Sequence, residues 1–184
     1  MDSFKITDAI NNHLDSFEQE IKSYPHYSEI EKRIREAQKE IGYKFNNIHF
    51  LMLAFCRSKT TLDNVGKNNK TYMNDTLAQI GDAILNVIIC EWCFAKGKNK
   101  KETDDIRQRV ADNNHLSSIT KENALTSFCY HERHFYDEAP NEYKVASGVH
   151  DSVIEAIIGA IYLDGGIGKA RQWIYENIIS TKDN

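Results

Sequence analysis

Two helical segments, residues 74–94 and 151–163, are apolar on nearly every face, and this pattern constrains the fold more than any other feature. A helix that is apolar all round is expected inside a protein, because it has no polar face to turn towards water. No segment alternates between apolar and polar residues over five or more positions, as a half-buried β-strand would. The sequence therefore predicts an all-α protein with these two helices at its centre.

The N-terminal residues are predicted to form a helical extension of the domain that follows. Residues 4–23 carry one apolar stripe, with charged residues on the other face. Ser28 and Glu31 form a capping-box pattern that predicts the start of the next helix. The chain therefore divides into an extension at 1–27 and a domain at 28–184. We expect the extension to pack back on the last helix or to meet a partner.

The second half of the chain alternates helices with polar loops. A loop with four lysines spans residues 96–101, and Thr103 is predicted to open a helix that continues through Ile119. An Asp-Gly-Gly stop at 164–166 ends the second apolar helix, and a final amphipathic helix follows at 170–179. These elements surround the central pair without adding a β-sheet.

Composition limits the class of protein. With 184 residues, the chain is long enough for one domain with its own core. We identify neither a membrane-spanning apolar run nor a basic-then-apolar leader. Four cysteines in a chain of this size are typical of a reducing compartment rather than of a disulfide framework. We expect an intracellular protein, in cytoplasm or nucleus, without membrane contact, whose net charge of −4 still permits a local basic patch.

Each of the two central helices carries an isolated carboxylate, Asp82 in the first and Glu155 in the second. Burying a carboxylate is costly unless it is paired, hydrogen-bonded or bound to a metal. One interpretation is structural, with each acid capping a neighbouring helix or pairing with a lysine. The other is functional: the helices cross, and the two carboxylates hold divalent cations. Mg²⁺ prefers oxygen ligands and would activate water for phosphoryl chemistry.

Four stretches, in this order along the chain, resemble the motifs of the ribonuclease III domain family. The longest is residues 74–85, Asn-Asp-Thr-Leu-Ala-Gln-Ile-Gly-Asp-Ala-Ile-Leu, which is similar to the family signature. The others are an opening motif, a middle helix and a closing signature: Gly42-Tyr43-Lys44-Phe45 with Leu51 and Ala54-Phe55-Cys56-Arg57-Ser58; Arg107 with Asn113 and Leu116; and Glu155-Ala156 with Gly159-Ala160-Ile161-Tyr162-Leu163-Asp164-Gly165-Gly166. The resemblance covers about residues 38–179.

This resemblance implies a function as well as a fold. It implies the all-α ribonuclease III endonuclease fold, here with an extra N-terminal helix, and an endoribonuclease that hydrolyses double-stranded RNA. It also implies dependence on Mg²⁺ (or Mn²⁺) and a homodimer. Such RNA is recognised by its shape, phosphates and 2′-hydroxyls. Because the chain ends soon after the closing signature, we expect no appended double-stranded-RNA-binding domain and weak unaided binding.

The family's metal site is incomplete in this chain. The family uses four acids, two on each central helix, and Asp82 and Glu155 match two of these positions. Ala78 and Ser152 stand at the other two, and neither supplies a carboxylate. Such a site is expected to bind Mg²⁺ more weakly, because this ion takes few protein ligands.

Three explanations of this incomplete site remain open. In the first, the protein is catalytically inactive and keeps the fold for RNA binding or as a scaffold. In the second, a neighbouring acid substitutes; Asp151 lies one turn before Glu155 on the same helix face and is the third candidate ligand. In the third, Ala78 replaces a natural glutamate. Under the enzymatic interpretation, Asp82 and Glu155 are the candidate catalytic residues.

Basic residues follow the first central helix and are the candidate RNA contacts. Lys96, Lys98, Lys100 and Lys101 lie in the predicted loop, and Arg107 belongs to the middle motif. A lysine-rich loop is also compatible with a purely solubilising role. Beside a ribonuclease III domain, contact with RNA phosphates is the favoured interpretation.

Overall fold

The computed structural model describes residues 3–56, 60–61, 71–72, 74–130 and 150–180. Within these residues the fold is helical, with one short antiparallel pair of two-residue strands. The elements, in chain order, are α1 Ser3–Ile21, α2 Tyr27–Ile41, α3 Ile48–Ala54, β1 Thr60–Thr61, β2 Thr71–Tyr72, α4 Asp75–Ala95, α5 Lys100–Val110, α6 Asn113–Glu122, a 3₁₀ turn Leu125–Phe128, α7 His150–Ile174 and a π-helical turn Tyr175–Ile179. The predicted all-α class is confirmed.

The two central helices of the prediction are α4 and α7. They run antiparallel in extensive contact, and α7 also packs against α3 and α6. Gly166 interrupts α7 with φ 78° and ψ 176°, at the predicted Asp-Gly-Gly stop. Every residue from Ala156 to Ile161 is buried, which confirms the expected central position of this helix.

The first central helix is only half enclosed, and here the prediction was wrong. One side of α4 is buried, but Ala83, Val87, Cys90 and Phe94 are exposed. Side chains 83, 87, 90 and 94 follow the three- and four-residue spacing of a single helix face. A helix that looks apolar all round in sequence therefore has a solvent-facing apolar strip.

Two predicted helix starts also differ from the structure. Helix α2 begins at Tyr27 after His26, so the Ser28 capping box does not form. Helix α5 begins three residues before Thr103, because Asn99 and Glu102 make a capping box of their own. Lys100 and Lys101 consequently belong to a helical turn and not to the predicted loop, and a new N-cap at Asp112 separates α6 from α5.

Helix α4 is, within the part of the chain described, the one helix whose length and apolar composition would suffice to cross a membrane. No such run is expected from the sequence. Its residues Leu77, Leu85 and Ile89 are buried in the core shared with α7, whereas Val87, Cys90 and Phe94 are exposed.

The N-terminal extension packs into the same core. Leu14, Phe17 and Ile21 of α1 are buried, and α1 contacts α3. The ring of Phe17 lies 5.0 Å from that of Tyr72. Trp173, in the last turns of α7, donates its indole N–H to the carbonyl of Ile41 at the end of α2 at 2.8 Å.

Asp164 ties the end of α7 to the loop after α2. Its carboxylate accepts hydrogen bonds from the Tyr43 hydroxyl at 2.9 Å and from the backbone N–H groups of Asn46 at 2.9 Å and Asn47 at 2.8 Å. Burial and the Asp164 carboxylate together raise the pKa of Tyr43. The opening and closing motifs of the sequence are thus joined through one side chain.

Candidate active site at the crossing of two helices

Two glycines allow α4 and α7 to touch through their backbones. A Cβ atom at Gly81 would lie 1.7 Å from the carbonyl oxygen of Glu155, and one at Gly159 would lie 2.1 Å from that of Leu77. Both distances are far below van der Waals contact, so no side chain fits at either position. The crossing therefore brings the turn that carries Asp82 against the turn that carries Glu155.

Asp82 lies at the edge of this crossing and is exposed. The side-chain amide of Asn86, one turn later, donates to the Asp82 carboxylate at 2.9 Å and to its backbone carbonyl at 2.8 Å. The expectation that this carboxylate is buried was wrong, because the open strip of α4 begins next to it. An exposed carboxylate carries little desolvation cost and remains accessible to a ligand.

The other predicted positions of the metal site lie on both helices. Glu155 and Ser152 are half-buried, and both engage in interactions with neighbouring groups. Ala78 is buried, with 7% of its surface exposed. The side chain of Asp151 lies outside the described residues, as do Arg57 and Ser58 of the opening motif. Among the described residues, no three His, Cys, Asp or Glu side chains converge on a possible metal position.

Helices α5 and α6 close the other side of Asp82 and form a polar cleft with it. The cleft has a volume of about 560 Å³. Its lining residues are Asp82, Asn86, Asp104, Arg107, Gln108, Ala111, Asp112 and Asn113. The guanidinium of Arg107 lies 3.8 Å from the Asp104 carboxylate. The structure thus brings one predicted RNA contact, Arg107, into the same cleft as a predicted metal ligand.

Sequence reasoning missed several residues of this cleft. Asp104, Asn86 and Asp112 are not predicted as site residues from the sequence, yet all three line the cleft. Asp112 caps α6 by accepting hydrogen bonds from the backbone N–H groups of Asn114 and His115. Asn86 had a signal in sequence, because it follows Asp82 by four residues and so lies one helical turn away.

The four predicted lysines lie at the far end of α4 from Asp82, and all of them are exposed. Lys96 lies over the ring of Trp92, 5.8 Å from its centre. Lys98 pairs with Glu102 at 3.2 Å. The hydrogen bond from the backbone N–H of Asn99, and to a smaller extent the one from Lys98, hold the pKa of Glu102 below its usual range. Lys100 and Lys101 stand in the first turn of α5, where the helix dipole adds to their positive potential.

Comparison with known proteins places the chain in a family. The family model described as Ribonuclease-III-like matches residues 64–182. This range includes both central helices, the polar cleft and the lysines. The chain therefore belongs to the ribonuclease-III-like family, as its motifs predict.

Individual relatives agree with this assignment. Ribonuclease 3 of Borreliella burgdorferi is 28% identical over 149 residues, which is 80% of this chain and 58% of that protein. Ribonuclease 3 of Clostridium beijerinckii is 31% identical over 156 residues, or 82% of this chain and 64% of that protein. The chain thus spans about three fifths of the length of the curated relatives that it matches.

A solved structure confirms the fold. The nuclease domain of ribonuclease III from Campylobacter jejuni, described in terms of a region involved in dimer formation, superposes with a TM-score of 0.63. The match covers 82% of this chain and 99% of that domain, at 22% sequence identity. At this identity the likeness shows the shared fold alone.

Proposed function

We propose that the chain is the nuclease domain of a ribonuclease III-type enzyme that cleaves double-stranded RNA. The observation that carries this proposal is the backbone contact between α4 and α7, which puts Asp82 and Glu155 on the two sides of one helix crossing. Membership of the ribonuclease-III-like family supports the same reaction class. The reaction is phosphodiester hydrolysis by water.

The residues at the crossing fit a water-rich Mg²⁺ or Mn²⁺ ion. Mg²⁺ is usually bound by one or two carboxylates together with waters and substrate phosphates. Asp82 supplies an exposed carboxylate that Asn86 orients through a hydrogen bond of 2.9 Å. Glu155 supplies the second acid and Asp151 is the candidate third. When bound there, the ion would activate water and stabilise charge on the transferred phosphate.

The remaining residues of the cleft and the lysines bind the RNA in this proposal. Arg107 is placed to contact a phosphate next to Asp82, since both line the same cleft. Lys96, Lys98, Lys100 and Lys101 contact phosphates farther along the duplex. These charges supply affinity without sequence preference, because phosphates are the same in every RNA.

A homodimer and a domain boundary complete the proposal. The Campylobacter jejuni domain, described by a region involved in dimer formation, supports a dimer of this chain.

Residues 1–27 are, in this proposal, an extension of a domain at 28–184. In this extension, Leu14, Phe17 and Ile21 of α1 are buried and α1 contacts α3, which supports a role in stabilising that domain.

A second function is favoured by what the candidate metal site lacks. Ala78 and Ser152 hold no carboxylate, and no three candidate metal ligands converge within the described residues. The alternative is therefore a catalytically inactive member of the family that binds RNA or acts as a scaffold.

Cleavage of a long RNA duplex in Mg²⁺ or Mn²⁺ separates the two functions. We would compare the chain with Ala78→Glu, which adds a carboxylate one turn before Asp82. The matched control is Ala83→Glu, which places the same charge on the exposed strip of α4. Because Ala78 is buried, the melting temperature of its variant is measured first. Ser152→Asp, at a half-buried position, supplies a carboxylate by a second route.

The enzymatic proposal predicts cutting by the chain itself or by Ala78→Glu or Ser152→Asp, and no gain from Ala83→Glu. Cutting by these variants alone would identify a domain disabled by missing ligands. If no folded variant cleaves the RNA although RNA is still bound, the catalytic proposal is overturned and the binding function remains.

A further inference from the structure

The apolar strip of α4 ends in an unusually exposed aromatic residue. The strip consists of Ala83, Val87, Cys90 and Phe94. Phe94 is 86% exposed, whereas Val87 is 49% exposed. Phe94 lies in the last turn of α4, so its position is set by a helix whose opposite side is packed against α7. A large aromatic held outward on a rigid helix is available for contact with another molecule.

The strip is continuous with the candidate active site. A shallow cleft beside it is lined by Asn86, Val87, Cys90, Glu91 and Phe94. Asn86 also lines the cleft of Asp82 and donates to its carboxylate. A ligand that lies along α4 from Asp82 therefore passes Asn86 and reaches Phe94. The path is about 18 Å, given twelve residues at the helical rise.

The charges next to Phe94 favour a polyanion. Lys96 and Lys98 follow it directly in sequence and are exposed. The acid on this part of the helix, Glu91, is paired with Arg171 through hydrogen bonds of 2.9 and 3.1 Å. Proteins that bind single-stranded nucleic acid combine aromatic side chains, which stack on bases, with positively charged side chains, which contact the adjoining phosphates.

We propose that Phe94 stacks on an unpaired base of the bound RNA, while Lys96 and Lys98 contact the phosphates on either side. This inference rests on the proposed function, from which it takes RNA as the ligand. Bases inside a duplex are already stacked on one another, so Phe94 can reach only a base that is bulged, mismatched or beyond the end of the duplex. The preferred substrate is thus a duplex interrupted by an unpaired nucleotide about 18 Å along α4 from Asp82.

A second copy of the chain fits this surface less well. If two copies met through the strip around a twofold axis, the lysines that follow Phe94 would be brought close to those of the partner. Like charges brought together at an interface oppose association. An RNA ligand can both stack a base on the aromatic ring and place phosphates next to the lysines.

The test compares two RNA duplexes of equal length, one fully paired and one with a central single-nucleotide bulge of 2-aminopurine. Affinity and 2-aminopurine fluorescence are measured without added divalent metal, so that no RNA is consumed. We expect Phe94→Ala to weaken binding of the bulged duplex about tenfold and to leave the paired duplex unchanged. The stacking change in fluorescence is expected in the native chain and in Phe94→Trp but not in Phe94→Ala. The matched control is Ile6→Ala, which removes an exposed apolar side chain from α1, outside the proposed RNA path, and is expected to change neither RNA.

Each other outcome overturns the inference in a recognisable way. If the native chain binds the paired duplex and Phe94→Ala affects both RNAs equally or neither, the stacking proposal fails while the proposed function stands. If the native chain binds neither duplex, the proposed function fails and this inference with it. If Phe94→Ala instead changes the sedimentation coefficient and not the preference for the bulge, the strip is a protein interface.

Discussion

Gly81 of α4 and Glu155 of α7 are in backbone contact, and a Cβ atom at position 81 would lie 1.7 Å from the Glu155 carbonyl oxygen. Neither helix can move away from the other without displacing its own turn, which carries a candidate metal ligand. The glycine at 81 is therefore a requirement of the helix crossing. It brings together two acids that are far apart in sequence.

We expect Gly81→Ala to lower the free energy of unfolding by about 3 kcal/mol or more. Overpacking costs about 1–3 kcal/mol even where side chains can adjust, and here the atom met is backbone. Urea denaturation measures the change. The control is Gly168→Ala, in the second part of α7, where a Cβ atom meets nothing within 4 Å. It is expected to be neutral or stabilising, because alanine favours a helix by about 1 kcal/mol over glycine. Equal stability of native chain and Gly81→Ala would contradict the backbone contact.

The sequence was sufficient for the helices and their class, and less so for their exposure. Apolar periodicity located α4 and α7, and the Asp-Gly-Gly stop located the break at Gly166. Apolar periodicity could not show that Phe94 faces solvent, because the sequence of an apolar helix does not indicate which of its faces lacks a packing partner. The burial of Asp82 was predicted wrongly for the same reason. Asp112 was missed because a residue that caps a helix and one that lines a cleft look alike in sequence.

Asp164 is expected to contribute to stability through the hydrogen bonds that its carboxylate accepts from the loop after α2. Asp164→Asn keeps the shape but exchanges one acceptor oxygen for a donor. The N–H groups of Asn46 and Asn47 bond to different oxygens of Asp164, so one of these bonds is lost in either orientation of the new amide. We expect a loss of about 2 kcal/mol in unfolding free energy, measured by urea denaturation. Asp105→Asn, at an exposed position, is the control and should change stability by less than about 0.5 kcal/mol. Similar losses in both variants would rule out a special role for Asp164.

The lysines after α4 are expected to govern the salt dependence of RNA binding. Replacing Lys98, Lys100 and Lys101 by glutamine should weaken binding of duplex RNA. It should also reduce the slope of log affinity against log salt by about 2–3, since each phosphate contact contributes nearly one unit. Titrations at several salt concentrations measure that slope. The control changes the same number of charges elsewhere, with Lys5, Lys32 and Lys39 replaced by glutamine, all at exposed positions of α1 and α2. An unchanged slope in the first variant would exclude these lysines from the RNA contact.

His49 makes the contact between α1 and α3 sensitive to pH. The ring is buried; one nitrogen lies 3.2 Å from the Glu18 carboxylate and 3.0 Å from Asn47 Oδ1, and the other lies 3.1 Å from the Tyr27 hydroxyl. Burial lowers the pKa of His49 below its ordinary value of 6.5, although Glu18 acts in the opposite direction. Lys22, Glu31 and Arg35 are the other charged groups that act on the ring.

Acidification is therefore expected to destabilise the fold through His49. Because the unfolded chain takes up this proton more readily than the folded one, the stabilisation is complete above pH 6.5 and is lost as the pH falls through the folded pKa. The slope cannot exceed about 1.4 kcal/mol per pH unit for one group. Thermal melts between pH 7.5 and pH 5 measure it, and His49→Gln should flatten the curve in this range. Gln19→Ala, at an exposed position of α1, removes no titratable group and should leave the curve parallel to that of the native chain. A curve for His49→Gln as steep as the native one would assign the pH dependence to other groups.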